Sequence, residues 1–203
     1  MESQLHLVVG LGNPGSEYDR TRHNIGFALL DRLYASLTPA HLSSPPWRSK
    51  FGGLLAEFNG DRSRTLLLKP QTFMNRSGDS VQQCAAFYKL TPEQVFVVHD
   101  DLDLPLGAVR LKKGGGDGGH NGLRSVSSAL GPDYYRIRLG VGRPVATPEV
   151  LDRQEPRIVQ WVLGRVSRGE EPLAAEMVER GVEALRALWS DGLSSAQNRF
   201  HRG

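Results

Sequence analysis

Four short polar segments hold the residue types in this chain that could do chemistry, and each sits beside a short apolar run. They are Gly12-Asn13-Pro14-Gly15 with Thr21-Arg22-His23-Asn24, Pro70 to Gly78 around Asn75, His99 to Pro105, and Gly118-Gly119-His120-Asn121-Gly122. Together they supply asparagine amides, two histidines and a carboxylate from the ends of separate elements. That inventory suits cleavage of an ester by an activated water, without a metal or a covalent nucleophile. A buried Asp accepting from one imidazole nitrogen fixes the tautomer and leaves the other nitrogen free to take a proton from water. His23 and Asp100 are the pair expected to do this. Of the neighbouring acids, Asp101 and Asp103 are expected to be turn and solvent residues, because Asp100 follows the predicted strand most directly. Asn75 stands at a helix entry, where an amide can cap the helix. It can also donate to an oxygen gaining charge, an interaction worth about 2.7–4 kcal/mol in a transition state. Phe73 and Met74 are expected to pack beside it.

The elements that must carry these groups can be read from the apolar spacing. Leu5 to Leu11 reads as a buried strand ending at a glycine turn, and Ile25 to Leu37 as an amphipathic helix with Asn24 available as its cap. Ser43 to Pro46 reads as a loop. Leu54 to Phe58 and Thr65 to Leu68 read as strands joined around Asn59-Gly60-Asp61. A helix over Ser80 to Lys89 leads to a continuous apolar strand, Val95 to Val98. Ala108 to Leu111 and Ile137 to Val141 are further strands, with a helix over about Leu123 to Leu130 between them. Pro156 to Leu163 and Pro172 to Trp189 are helical, giving C-terminal helices over about 156–200. The alternation predicts one α/β domain over residues 1–203, with a mixed, mainly parallel twisted sheet flanked by helices. In such sheets, sites form beyond the carboxyl ends of strands.

Bulk properties narrow the class. A chain of 203 residues, 39% hydrophobic and 23% charged, can bury a substantial core. No apolar run is long enough to cross a bilayer, and the first residues lack a basic leader. The single cysteine, Cys84, fits a reducing compartment and is expected to be buried. The net charge of +3 is concentrated: from Pro105 to Arg143 seven basic residues (Arg110, Lys112, Lys113, Arg124, Arg136, Arg138, Arg143) face two acids, Asp117 and Asp133. A basic stretch beside a glycine-rich loop suits phosphates.

Competing motifs are weaker. Gly10 to Gly15 matches the G-x-G-x-x-G dinucleotide pattern, and Asp31 is at a plausible distance for its ribose acid. That site needs a helix starting at the glycines, whereas Pro14 and the polar run Ser16 to Asn24 intervene. His23, His99 and His120 with the acids invite a metal, but no repeated ligand pair or EF-hand spacing is present, so no metal or cofactor is expected. Gly114 to Gly122 lacks the ATP-loop signature, and its backbone amides suit a phosphate or carbonyl. No G-x-S-x-G elbow points to a serine acyl-enzyme.

From about Leu7 to Val162 the four segments, in order and spacing, resemble bacterial-type peptidyl-tRNA hydrolases. The resemblance implies an ester hydrolase that frees tRNA from a peptide or an N-blocked amino acid. It implies His23 as general base oriented by Asp100, with Asn75 holding the water or the oxyanion. Asn13 and Asn121 match positions that bind the peptide backbone and acceptor end, with His120 and Met74 beside them and Tyr18 in the cleft. Lys112 and Arg138 match positions linked to tRNA phosphates, and Lys113, Arg124 and Arg143 extend that basic path. Asp117 departs from the small residue or His common there, and little from Arg165 onward can be matched. The expected protein is a cytoplasmic monomer with no membrane and no obligatory protein partner. The alternatives are an RNA-binding protein that keeps the fold without catalysis, against which the joint presence of His23, Asp100, Asn75, Asn13 and Asn121 argues, and a dinucleotide-dependent enzyme.

Overall fold

The computed structural model describes residues 4–37, 47–59, 63–144 and 154–201. Seven strands form one sheet: β1 (Gln4–Gly10), β2 (Arg48–Lys50), β3 (Gly53–Asn59), β4 (Ser63–Pro70), β5 (Val95–Asp101), β6 (Val109–Lys113) and β7 (Tyr135–Gly140). Five helices accompany them: α1 (Ile25–Leu37), α2 (Ser77–Tyr88), α3 (Asn121–Leu130), α4 (Gln154–Val162) and α5 (Glu171–Phe200). The strand order is β2-β3-β4-β1-β5-β7-β6. Its four central strands, β4, β1, β5 and β7, are parallel neighbours, while β3 pairs antiparallel with β4, β2 antiparallel with β3, and β6 at the other edge antiparallel with β7. This is the mixed α/β architecture that the alternating apolar runs predict.

Side-chain alternation along the strands divides the core. Val8, Leu67, Phe96, Val98, Ile137 and Leu139 face α1 and α5, while Leu7, Val9, Leu66, Leu68, Val95 and Val97 face α2 and α3. Both faces of the central strands are covered, which is why those strands read as unbroken apolar runs. Cys84 is buried on the second face, and burial pushes its thiol up to about 12.

The glycines after β1 serve packing. A Cβ on Gly10 would lie 2.4 Å from the Gly26 carbonyl oxygen, and one on Gly26 would lie 2.5 Å from the Leu11 carbonyl oxygen. They let α1 cross β1 backbone to backbone. Helix α1 begins at Ile25, well beyond the glycines, and Asp31 pairs with Lys69 on the surface, so the dinucleotide geometry is absent.

Several boundaries differ from the sequence reading. Strand β5 continues through His99 and Asp100 to Asp101 instead of ending at Val98. Strand β2, with the sequence Arg-Ser-Lys, is too short and polar to carry a period. The Ser43–Pro46 segment, Gly60 and Asp61 lie outside the described residues. Helix α5 runs past Trp189 to Phe200, bending at Gly192, whose φ of 78° a side chain would strain. The bend brings the end of α5 onto the β6 edge. There Leu111 N–H donates to His201 Nε2 at 2.8 Å, Gln197 Nε2 donates to Leu111 O at 2.9 Å, and Arg110 donates to Phe200 O at 3.1 Å. Among the described residues, no helix is long and apolar enough to cross a membrane.

Candidate active site

Strand parity brings the catalytic candidates together. Asp100 shares the face of Phe96 and Val98, the side on which α1 packs, and His23 lies in the one-turn 3-10 helix (Arg22–Asn24) that leads into α1. His23 Nδ1 stands 2.8 Å from Asp100 Oδ1, and His120 Nε2 stands 2.9 Å from the same oxygen. Asp100 offers 2% of its side chain to solvent. Burial alone would raise its pKa, but the charge and hydrogen bonds of His23 and His120 hold the carboxyl well below the usual carboxylate range. An ionised Asp100 can only accept, so each histidine nitrogen facing it carries the proton. His23 is left with Nε2 as a free base nitrogen, the tautomer a water-activating residue needs.

His120 has a different task from its neighbour. Its Nδ1 accepts from the backbone N–H groups of Gly122 (3.1 Å) and Leu123 (3.3 Å), capping α3. Both of its nitrogens are therefore committed, one to a helix and one to Asp100. His99, one parity step away on the other face, is buried and donates from Nδ1 to the Asp100 carbonyl at 2.7 Å. Burial first, and then the proximity of His120, pushes its pKa down to about 3, so it is neutral in ordinary buffers. His23, Asp100 and His120 could also hold a metal ion, since their candidate ligand atoms lie within 4.8 Å of one another.

Asn13 is oriented by the backbone around it. Asn24 donates to its carbonyl (2.9 Å) and accepts from its N–H (2.8 Å), so Asn24 holds the Asn13 loop through both amide atoms. The capping role predicted for Asn24 gives way to this clamp. Met74 N–H donates to Asn13 Oδ1 at 2.9 Å. Because an N–H can only donate, that bond settles which end of the Asn13 amide is oxygen and leaves its Nδ2 as the donor on the cleft side. Met74 is buried, as its packing role requires, whereas Phe73 is 57% exposed and lines the cleft instead of packing. Asn75 lies in the 3-10 turn before α2 and Asn121 at the start of α3. Both are exposed, and neither amide bonds to another described residue. Asn75 does not cap α2.

Asn13, His23, Met74, Asn75, Asp100, Lys112, His120, Asn121 and Arg138 line one cleft of about 570 Å³. Ile158, Val159, Val162 and Leu163 from α4 and the turn after it form an apolar wall of that cleft. The apolar spacing of α4 was legible, but nothing in it showed which surface the helix would meet. Tyr18 stands behind the rim, its ring edge-on to Phe73 at 6.5 Å.

The basic residues divide more sharply than their sequence density suggests. Arg138 donates to Asp101 at 2.7 Å, Arg143 pairs with Asp103 at 2.7 Å, Lys113 with Glu93 at 3.6 Å and Arg124 with Asp117 at 3.5 Å. Asp101 is thus largely buried and paired, not a free turn residue, whereas Asp103 is exposed as expected. Lys112 reaches the cleft without an ion pair among the described residues, and strand parity turns Lys113 to the other face. Arg136, counted with the surface charges, is buried and donates to the carbonyls of Gly115 and Gly116 at 2.5 Å each, tying down the glycine loop. Asp117 folds back on that loop, accepting from Gly119 N–H at 2.8 Å.

The peptidyl-tRNA hydrolase family model matches residues 7–203, extending past Arg165, where the motifs alone gave out. A peptidyl-tRNA hydrolase from Pelobacter propionicus is 47% identical over 199 residues, covering 97% of this chain and 95% of that protein. One from Rhodospirillum centenum is 48% identical over 167 residues, covering 82% of this chain and 68% of that protein. The crystal structure of peptidyl-tRNA hydrolase from Acinetobacter baumannii superposes with a TM-score of 0.85 at 35% identity, covering 100% of this chain and 97% of that one. With the fold and nearly the full length in agreement, this chain belongs to the peptidyl-tRNA hydrolase family.

Proposed function

We propose that this protein hydrolyses the ester between a peptide, or an N-blocked amino acid, and the terminal ribose of tRNA, acting as a monomer in the cytoplasm. The observation that carries the reading is the 2.8 Å contact from His23 Nδ1 to the buried Asp100, which leaves the imidazole's other nitrogen basic. His23 Nε2 takes a proton from water as the water oxygen bonds to the ester carbonyl carbon. The carbonyl oxygen gains the charge, and the unbonded Asn75 amide supplies a donor for it or for the water. Collapse of the tetrahedral intermediate breaks the bond to the ribose oxygen, which receives the proton from His23. The products are the free peptide acid and tRNA, with His23 neutral again.

Asn13 Nδ2 and Asn121 are assigned to the peptide backbone and acceptor end, with Met74, His120 and Tyr18 nearby; the free Nδ2 of Asn13 and the unbonded Asn121 amide support this. Lys112 and Arg138 are assigned to tRNA phosphates, with Arg124 and Arg143 beyond them, whereas Lys113, turned to the other face of β6, lies off that path. Most of that path is already paired with carboxylates, so phosphates must compete for it and Lys112 is the strongest member. The test is release of the blocked amino acid from N-acetyl-aminoacyl-tRNA, with the unblocked ester and the His23→Ala protein in parallel. Rapid, chelator-insensitive cleavage of the blocked ester, lost in the variant, is expected. Tight tRNA binding without cleavage would instead assign the protein to RNA binding alone. Elution mass at working concentration tests the monomer.

A further inference from the structure

We infer that Arg22, next to the base but pointing away from it, is a positioning residue that sets the apolar wall of the cleft and hence selectivity for the side chain of the ester-linked residue. The inference rests on the hydrolase reading and deepens it. The Arg22 side chain is 6% exposed and makes contacts only a planar guanidinium can combine. Its Cζ lies 3.9 Å from the centre of the Trp161 ring, Nη1 donates to Arg165 O at 2.8 Å, and Nη2 donates to Glu170 Oε2 at 2.8 Å. The backbone adds to this latch: Arg22 N–H donates to Gly164 O at 3.0 Å, and Thr21 bridges Arg165.

The two sides of the latch depend on it unequally. The turn holding His23 has other anchors, in Asp100 on His23, in the Asn13 backbone on Asn24 and in the Tyr18 carbonyl on Thr21. Helix α4 and the turn after it have fewer. Among the described residues their hydrogen bonds to the rest of the molecule run to residues 20–22 and, from Trp161 Nε1, to Gly142 O at 2.9 Å. Loss of Arg22 therefore releases α4 before it disturbs the base. What α4 presents to the cleft is apolar, with Val159 54% exposed although it lines the site, so the contact it offers is to a carbon side chain, not to phosphate.

The experiment compares the wild type with Arg22→Lys and Trp161→Leu, which attack the latch from opposite ends. KM and kcat are measured on N-acetyl-leucyl-tRNA and N-acetylglycyl-tRNA across pH, and amide exchange is followed over residues 157–164 and 95–101. Expected is a rise of about tenfold in KM for the leucyl ester only, the scale on which an apolar pocket discriminates. The pH midpoint of kcat should hold, and exchange should quicken in 157–164 but not in 95–101. Lysine at position 22 should not rescue, since it keeps the charge but not the stacked fork. A fall in kcat with a displaced pH midpoint would assign Arg22 to the base and overturn the proposal. So would equal losses on both esters with exchange rising everywhere, or a wild type indifferent to the side chain. If the wild type cleaves neither ester, the hydrolase reading is what fails, and the exchange pattern still decides whether Arg22 holds α4.

Discussion

The two walls of the cleft are built on opposite principles. On the β1–β5 side the residues are held by fixed partners within the protein: His23 and His120 by Asp100, the Asn13 backbone by Asn24, and the Asn13 side chain by Met74 N–H, with only Asn13 Nδ2 left to spare. On the α2–α3 side the amides of Asn75 and Asn121 are exposed and unbonded. On the proposed reading, a base held in one tautomer before substrate arrives suits the first, closed wall, and donors for a substrate, which need capacity to spare, suit the second, open one. Rigidity and unmet hydrogen bonding are thus allotted to separate elements of one site.

The comparison can be broken at its firmest point first. Asp100→Asn removes the negative charge that faces both histidines, and an amide turned with its NH₂ at the Oδ1 position forces the wrong tautomer on both, because both meet that one atom. A loss of roughly 10³–10⁴ in kcat is expected, by the precedent of an Asp-to-Asn change beneath a catalytic histidine. Near-normal single-turnover cleavage would show that the closed wall is not what orients His23. Asn75→Ala on the open wall should cost about 10²–10³ in kcat, as loss of one oxyanion donor does. Its melting temperature should stay near wild type, because no bond within the protein is lost. A clear drop in melting temperature would mean that Asn75 is structural after all.

The basic residues of β6 and β7 should respond in graded fashion. Lys112→Ala should reduce the slope of log Kd for tRNA against log salt by about 0.9, one phosphate contact. Arg138→Ala should reduce it less, because Arg138 already spends its charge on Asp101. Equal slopes for the two would remove that distinction. The smallest effect concerns the closed wall's neighbour, His99. Its folded pKa, lowered to about 3, lies below the value of about 6.5 for an unfolded histidine. Between those values the unfolded chain holds the extra proton, so stability falls as pH drops through that window, by up to about 1.4 kcal/mol per pH unit. His6 and His201, also lowered, contribute in the same sense. Urea midpoints from pH 6.5 to 4 should therefore fall less steeply for His99→Gln than for the wild type. Parallel curves would contradict a neutral, buried His99.

Much of the closed wall was legible because its residues sit where apolar runs end. Val95 to Val98 announced β5, and one more pair of residues along it gave Asp100. The reason for preferring Asp100 was incomplete: it lies within the strand, and parity, not position after the strand, turns it toward His23. The clamp by Asn24 and the cap by His120 were illegible, since an amide or an imidazole in a loop has many local partners and only the fold selects one. The charges were the hardest to read. Arg136 and Arg138 are two residues apart on β7 and both line the cleft, yet one is buried and bound to the glycine-loop carbonyls while the other is partly exposed and paired with Asp101. Composition weighs them equally, and only the strands and loops around them tell them apart.

The bonds from the end of α5 to the β6 edge join residues 86 to 90 apart in sequence. As the chain is synthesised, β6 emerges with its outer N–H and C=O groups exposed, and the residues that cover them are made 86 to 90 residues later. At about 5–20 residues per second, covering a separation of 90 residues takes roughly 5–20 s. For that interval the nascent sheet carries an open margin able to pair with another chain. The last turn of α5 closes that margin, so the sealing of the β6 edge waits on residues made well after the strand itself.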